Sequence, residues 1–219
     1  MEATVLLADF GTSYCKLLDT AQNAGPQIIP ARELPRDFQA DIGTGHNAKR
    51  RSKSTVNELT ALARGGRRMI AEPDFTLLDC GSRDIKFVRF KNGEMADMGW
   101  NAECGASMGF TIELLAQYYR LDYAAVPVPE SGFSVTCGVL GLSSIFDAVA
   151  AGSSELEAAA KFVRGIARNA FRFAGSPERL HLSGGLCDNP LFTACFPCEI
   201  VPLGRFVLLE GLRPETTKA

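Results

Sequence analysis

Two stretches of this chain repeat one pattern: an apolar run ends near an aspartate, passes through a glycine turn and returns as a second run. The first comprises Thr4 to Asp9, the turn Phe10-Gly-Thr-Ser13 and Cys15 to Asp19. The second comprises Phe75 to Cys80, the turn Asp79-Cys-Gly-Ser-Arg-Asp84 and Ile85 to Phe90. Short apolar runs bounded by such turns read as antiparallel hairpins. A hairpin that recurs, with helical patterns after it, predicts a duplicated α/β layout.

The rest of the pattern fits around these hairpins. Asn92-Gly93 suits a tight turn between Ile85–Phe90 and Glu94–Met98. Thr55-Val-Asn-Glu58 reads as a capping box for a helix towards Arg67, and Ser154 with Glu157 reads as another for a helix to Phe173. Further helices are expected over 106–119 and 142–151, with a proline-bearing loop between them. Leu180 to Leu182 is a short buried strand that runs into the glycine turn Ser183-Gly-Gly185 and a short helix near Asn189. Glu199 to Leu203 is a last strand, and 206–212 a closing helical turn or two. Residues 20–54 show little periodicity and read as loop.

With 219 residues, 46% of them hydrophobic, the chain can bury one large core or two small ones. A formal charge of -2 does not favour nucleic acid as a partner. The basic run Lys49, Arg50, Arg51 and Lys53 reads as a solvated loop. No stretch approaches the roughly 18 apolar residues of a membrane span, and Met1-Glu2-Ala3 lacks the basic start of a signal peptide. A cytoplasmic protein is the expectation. Seven cysteines then point to thiols, ligands or redox groups, not a disulfide framework.

Cys104 and Cys137 each follow or enter a small, glycine-containing stretch that opens an apolar helical segment. A helix N-terminus stabilises a thiolate, and two thiolates are half of what a cubane iron-sulfur cluster needs. Cys195-Phe-Pro-Cys198 is a lone pair without a second pair, and Cys15, Cys80 and Cys187 read as packing groups. His46 and His181 are too few and too separated for a metal site. Trp100 and the phenylalanines read as core.

The first turn sets Asp9, Gly11, Thr12, Ser13 and Lys16 where they could surround a phosphate and its Mg2+. The second repeats the arrangement with Gly81, Ser82, Arg83 and Asp84. A third segment, Leu182-Ser-Gly-Gly-Leu-Cys-Asp-Asn189, has the strand-glycine-helix form suited to a nucleoside.

In this order the three turns resemble the two phosphate motifs and the adenosine motif of the actin, hexokinase and heat-shock ATPase superfamily. Within it the chain looks most like the ATP-dependent activators of 2-hydroxyacyl-CoA dehydratases and the ATPase subunits of benzoyl-CoA reductase. Asp79-Cys-Gly-Ser-Arg-Asp84 is similar to their Asp-Ile-Gly-Gly-Gln-Asp. Asn101-Ala-Glu-Cys-Gly-Ala-Ser-Met-Gly-Phe110 is similar to their Asn-Asp-Lys-Cys-Ala-Ala-Gly-Thr-Gly-Arg, and Cys137 falls where their second cysteine motif stands.

The resemblance implies a two-lobed actin-like ATPase fold built from duplicated ribonuclease H-like lobes. The lobes would span 1–72, with 206–219 packing back on it, and 73–205. It implies ATP or ADP with Mg2+ in the cleft between lobes. Asp9, Arg83 and Asp84 would act catalytically, Gly11, Thr12, Ser13, Lys16, Gly81 and Ser82 would sit around the phosphates, and Gly184, Gly185 and Asn189 would hold the nucleoside. It further implies a homodimer bridged by one 4Fe-4S cluster on Cys104 and Cys137 of each copy. A ferredoxin- or flavodoxin-like donor would supply the electron, and a second iron-sulfur metalloenzyme would accept it.

Departures from the family pattern are specific. Between Asp19 and Asp41 the chain is short by a helix of the first lobe. Arg83 stands where the family carries a glutamine that orients water, so it would contact phosphate directly. Leu142, Ser144 and Val207-Leu-Leu-Glu210 also depart from it. Two rival readings follow: a small-molecule kinase of the same superfamily, and a nucleotide-binding scaffold that does not hydrolyse ATP.

Overall fold

The computed structural model describes residues 5–21, 25–101, 108–136 and 141–214. The chain divides into two compact units, Met1–Glu72 with Arg205–Ala219, and Pro73–Gly204. Each is built on one five-stranded mixed sheet.

In the first unit, β1 (Leu6–Phe10) and β2 (Tyr14–Asp19) form the expected hairpin, with Asp9 opposite Lys16. β3 (Gln27–Pro30) continues it antiparallel, whereas β4 (Ala40–Gly45) and β5 (Ser52–Thr55) add parallel strands on the other side of β1. The order is β3-β2-β1-β4-β5. The stretch 20–54, expected to be loop, thus holds β3, β4 and most of β5, which ends at Thr55. β4 is Ala-Asp-Ile-Gly-Thr-Gly, with too few apolar side chains to alternate, and β5 is Ser-Lys-Ser-Thr at a sheet edge. Pairing of β4 with β1 and of β5 with β4, not propensity, makes them strands.

The basic run is correspondingly ordered. Lys49 to Arg51 lie in the short α1 (Ala48–Arg51), and Lys53 in β5 bonds Asp41 at 2.7 Å. α2 (Glu58–Met69) is capped by Asn57, whose side chain accepts from the Leu59 N–H, so the cap lies two residues beyond Thr55, which ends β5. α7 (Val207–Glu210) packs on α2 so closely that a Cβ on Gly65 would meet the Val207 carbonyl.

The second unit repeats the order. β6 (Phe75–Cys80), β7 (Ile85–Lys91) and β8 (Glu94–Asn101) form an antiparallel meander, while β9 (Arg179–Ser183) and β10 (Glu199–Gly204) pair parallel beyond β6. The order β8-β7-β6-β9-β10 matches β3-β2-β1-β4-β5 strand for strand. The connection before the fourth strand differs. Residues 31–39 hold a single 3-10 turn, Ala31–Glu33, whereas 102–178 contain α3 (Met108–Tyr119), α4 (Gly141–Ala150) and α5 (Glu155–Phe173).

α5 starts where its pattern predicts, with Ser154 Oγ accepting from the Glu157 N–H at 3.1 Å. Its Phe162, Val163 and Ile166 are buried with Ile112, Ile145, Leu180 and Leu182 in the core of this unit. Among the described residues no helix is long and apolar enough to cross a membrane.

Candidate functional site

The first turn is built by the hairpin register. Asp9 is 3% exposed at the penultimate position of β1. Opposite it, Lys16 Nζ reaches Asp9 Oδ2 at 2.7 Å. On the other flank Asp9 is registered with Thr44 of β4. The Thr44 side chain is fully buried, and neither its Oγ1 nor the buried Ser13 Oγ has a hydrogen-bond partner among the described residues. Buried hydroxyls are rarely left unbonded, so these two fit an added acceptor or donor at the turn.

Glycine is required on both sides of this turn. At Gly11 a Cβ would stand 2.7 Å from the Tyr14 carbonyl. Gly45 has φ +94°, and its Cβ would lie 2.5 Å from the Phe10 carbonyl. Thr12 is exposed at the tip.

The second turn sits at the equivalent place with a different wiring. Asp79 is registered with Lys86, as Asp9 is with Lys16. Its Oδ1 accepts from Ser183 Oγ at 2.5 Å, where Ser183 of β9 stands in the register that Thr44 occupies in β4. Gly184 follows with φ +89° and no room for a Cβ beside the Cys80 carbonyl, the counterpart of Gly45 beside Phe10.

Lys86, however, bonds Asp84 Oδ1 at 2.6 Å, and Trp100 Nε1–H donates to Asp84 Oδ2 at 2.8 Å. The Lys86 ammonium also lies 5.4 Å from the centre of the Trp100 ring. The Lys86 and Asp84 side chains are only 3% and 8% exposed. A buried ion pair is tolerated where further donors satisfy the carboxylate, and the indole N–H does this here.

The Gly81 N–H closes the turn on the Asp84 carbonyl at 3.1 Å, and Arg83 projects as an exposed side chain. Gly185 opens a 3-10 turn, Gly185–Asp188, and Asn189 caps α6 (Pro190–Ala194) by accepting from the Phe192 N–H at 3.0 Å.

Each unit also keeps a buried thiol beside its acid. Burial first, then the charge of Asp9, pushes Cys15 up to about 12. Burial and then Asp79 push Cys80 well above the ordinary thiol value. Cys195 is raised to about 11 by burial, and Cys198 is raised by burial and Glu199. At all four, burial disfavours the thiolate and with it nucleophilic chemistry. Cys104 and Cys137 lie outside the described residues, and among the described residues no group of three or more His, Cys, Asp or Glu could hold a metal ion.

Three residues outside the expected site thus shape it: Thr44, Lys86 and Trp100. Lys86 had a signal, since it follows Asp79 at the spacing by which Lys16 follows Asp9. Trp100 had none. Expected in the core, it is 43% exposed because it lies on the edge strand β8, with its N–H bonded to Asp84 and its ring beside the buried Lys86 ammonium.

Two sheets of identical order in one chain, each with an acid and a glycine turn at the end of its first strand, define the two-lobed actin-like ATPase fold. Solved structures agree. The activator of the 2-hydroxyisocaproyl-CoA dehydratase from Clostridium difficile, with bound ADPNP, superposes with a TM-score of 0.74 at 18% identity, over 96% of this chain and 92% of that one. Component A of the (R)-2-hydroxyglutaryl-CoA dehydratase from Acidaminococcus fermentans gives 0.74 at 17% identity, over 96% of each chain. The ethanolamine utilization protein EutJ from Carboxydothermus hydrogenoformans gives 0.56 at 12% identity, over 97% of this chain and 89% of that one. No family model matches the sequence, and no curated protein does.

Proposed function

We propose that the chain is an ATP-binding activator that couples nucleotide turnover to electron transfer into a partner metalloenzyme of the acyl-CoA dehydratase or reductase type. The observation that carries this reading is the repeated acid-lysine register at two glycine turns, in a fold that superposes at 0.74 on two dehydratase activators. One of those activators holds ADPNP, a nucleotide of the class proposed here.

The residues of the first turn fit a phosphate with Mg2+. Asp9 supplies a buried carboxylate for the ion, Lys16 a cation, and Gly11 and Gly45 close backbone approach. Thr44 and Ser13 supply hydroxyls that have no other partner among the described residues. In the second turn, Gly81 gives the tight bend that its own N–H closes on the Asp84 carbonyl, Ser82 lies beside it, and the exposed Arg83 meets the terminal phosphate as a bidentate donor. Asp84, with both oxygens bonded, holds the turn in shape; as a base it would first have to release Lys86 or Trp100. Gly184, Gly185 and Asn189 form the nucleoside edge.

Cys104 and Cys137 would hold half of a 4Fe-4S cluster, completed by the same pair from a second copy. The bound cluster would supply one-electron chemistry at low potential. The apolar stripe Phe110, Leu114 and Tyr118 on α3 is 47%, 46% and 79% exposed, and Phe146 on α4 is 55% exposed. This apolar surface, adjoining the cysteine segments in sequence, supports a homodimer there. A ferredoxin- or flavodoxin-like donor and an iron-sulfur acceptor complete the proposal, which places the chain in the cytoplasm of an anaerobe.

The test is anaerobic expression with iron quantification and titration with Mg-ATP, for the wild type and Cys104→Ser. The expected result is nucleotide binding in both proteins, with about four irons per dimer in the wild type and none in the variant. Iron retained by Cys104→Ser, or a wild type that binds no nucleotide, overturns the reading.

A further inference from the structure

The second turn is gripped from both sides by the residues that flank 102–107. On one side, Trp100 near the end of β8 donates its indole N–H to Asp84 at 2.8 Å. On the other, α3 begins directly against the turn: the Phe110 N–H donates to the Ser82 carbonyl at 3.1 Å. A Cβ on Gly109 would stand 2.6 Å from the Gly81 carbonyl and 2.9 Å from Ser82 Cα, so the helix start is seated on turn backbone.

These two grips differ in kind. The Phe110 bond and the Gly109 contact are backbone to backbone and follow from where α3 starts. The Trp100 bond is made by one side chain, and the indole N–H is a donor with no second role. The carboxylate it holds is fixed on its other oxygen by the buried Lys86, so Asp84 cannot turn without breaking a charge-assisted bond. Displacement of the turn therefore pulls on both Trp100 and Phe110.

We propose that Trp100 is a positioning residue that ties the Asp79–Asp84 turn to β8 on one side of residues 102–107, while the Phe110 N–H ties it to α3 on the other. A change in what the turn binds is thereby passed to the end of β8 and to the start of α3. The proposal rests on the nucleotide-binding reading given above. It assigns to an exposed tryptophan on an edge strand a mechanical task that neither its exposure nor its strand requires.

The experiment is hydrogen exchange by mass spectrometry on the full chain, purified anaerobically, with and without saturating Mg-ADPNP. Peptides covering 101–110 are compared in the wild type, Trp100→Phe and Trp100→His, and calorimetry confirms saturation. In the wild type the nucleotide slows exchange in these peptides by about tenfold or more. In Trp100→Phe it binds more weakly, and at saturation the slowing falls below about twofold. Trp100→His, which keeps an N–H on a flat ring, recovers part of the response.

A second readout needs no substitution, since Trp100 is the sole tryptophan of the chain. Its emission shifts when nucleotide binds to the wild type. Full protection in Trp100→Phe, or saturation of the wild type with unchanged emission, overturns the proposal and leaves nucleotide binding intact. A wild type that binds no nucleotide by calorimetry removes the underlying reading, so the two failures are told apart.

Discussion

The two units carry the same hairpin and the same strand order, yet they wire the same three positions differently. In the first, the acid and the lysine bond each other, Asp9 to Lys16, and the hydroxyl across the strand, Thr44, has no partner among the described residues. In the second, the acid Asp79 takes the hydroxyl of Ser183, while Lys86 bonds a second acid, Asp84, that the first turn lacks. The first turn has two buried hydroxyls, Ser13 and Thr44, without a partner among the described residues. In the second, the acids are bonded by Ser183, Lys86 and Trp100, and only Arg83 of the loop is exposed.

The largest expected contrast is between the two lysines. Lys86→Met leaves Asp84 buried with only the indole N–H, and a broken buried pair costs about 3–5 kcal/mol. Lys16→Met, at a more exposed pair, costs about 1–3 kcal/mol. Urea unfolding of the two variants checks this, and equal losses would break the distinction between the two turns.

Gly45→Ala and Gly184→Ala test the opposite claim, that the fourth strands are equivalent. Both place a Cβ against a carbonyl at positive φ. Each should lose about 2–4 kcal/mol from left-handed strain and overpacking together. A mild effect at either site argues that the backbones do not correspond.

The hydroxyls should then part company. Ser183→Ala removes the bond to buried Asp79 and costs about 1–3 kcal/mol. Thr44→Val removes a hydroxyl that bonds nothing in the described structure, so stability holds or rises while affinity for Mg-ATP falls. Thermal melts beside calorimetry separate these outcomes, and a clear loss of stability in Thr44→Val would show that the hydroxyl serves the fold.

The smallest effect is at the edge of the first sheet. The Leu6 N–H, and then Lys53, hold Asp41 below the ordinary carboxylate value of 3.8. A depressed carboxylate stabilises the fold above its unfolded pKa and loses that contribution as pH falls through its folded value. Asp41→Asn should therefore be slightly less stable than the wild type at neutral pH, and the difference should close in acid. A gap that widens below about pH 4 would reverse the assignment.

Legibility in the sequence followed the amount of local signal. The hairpins at 6–19 and 75–91 and the cap at Ser154 were readable because each rests on a turn, an alternation or a side-chain cap within a few residues. β3, β4 and β5 were not, since their residues become strands only by pairing with neighbours remote in sequence. The site divides the same way. Asp9, Lys16 and the glycine turns stand out as a repeated motif, whereas Thr44 and Trp100 reach their places through strand register and an edge position that no spacing announces.

The sequence by itself determined that this chain contains two acid-glycine hairpins, because each rests on a glycine turn between short apolar runs. Only the tertiary structure decided what those groups bond. Which hydroxyl arrives from the fourth strand depends on parallel pairing across long connections, whereas the second acid that bonds Lys86 lies two residues away in the same hairpin. Those pairings give Asp79 its hydroxyl partner in one unit and set the buried Thr44 beside Asp9 in the other.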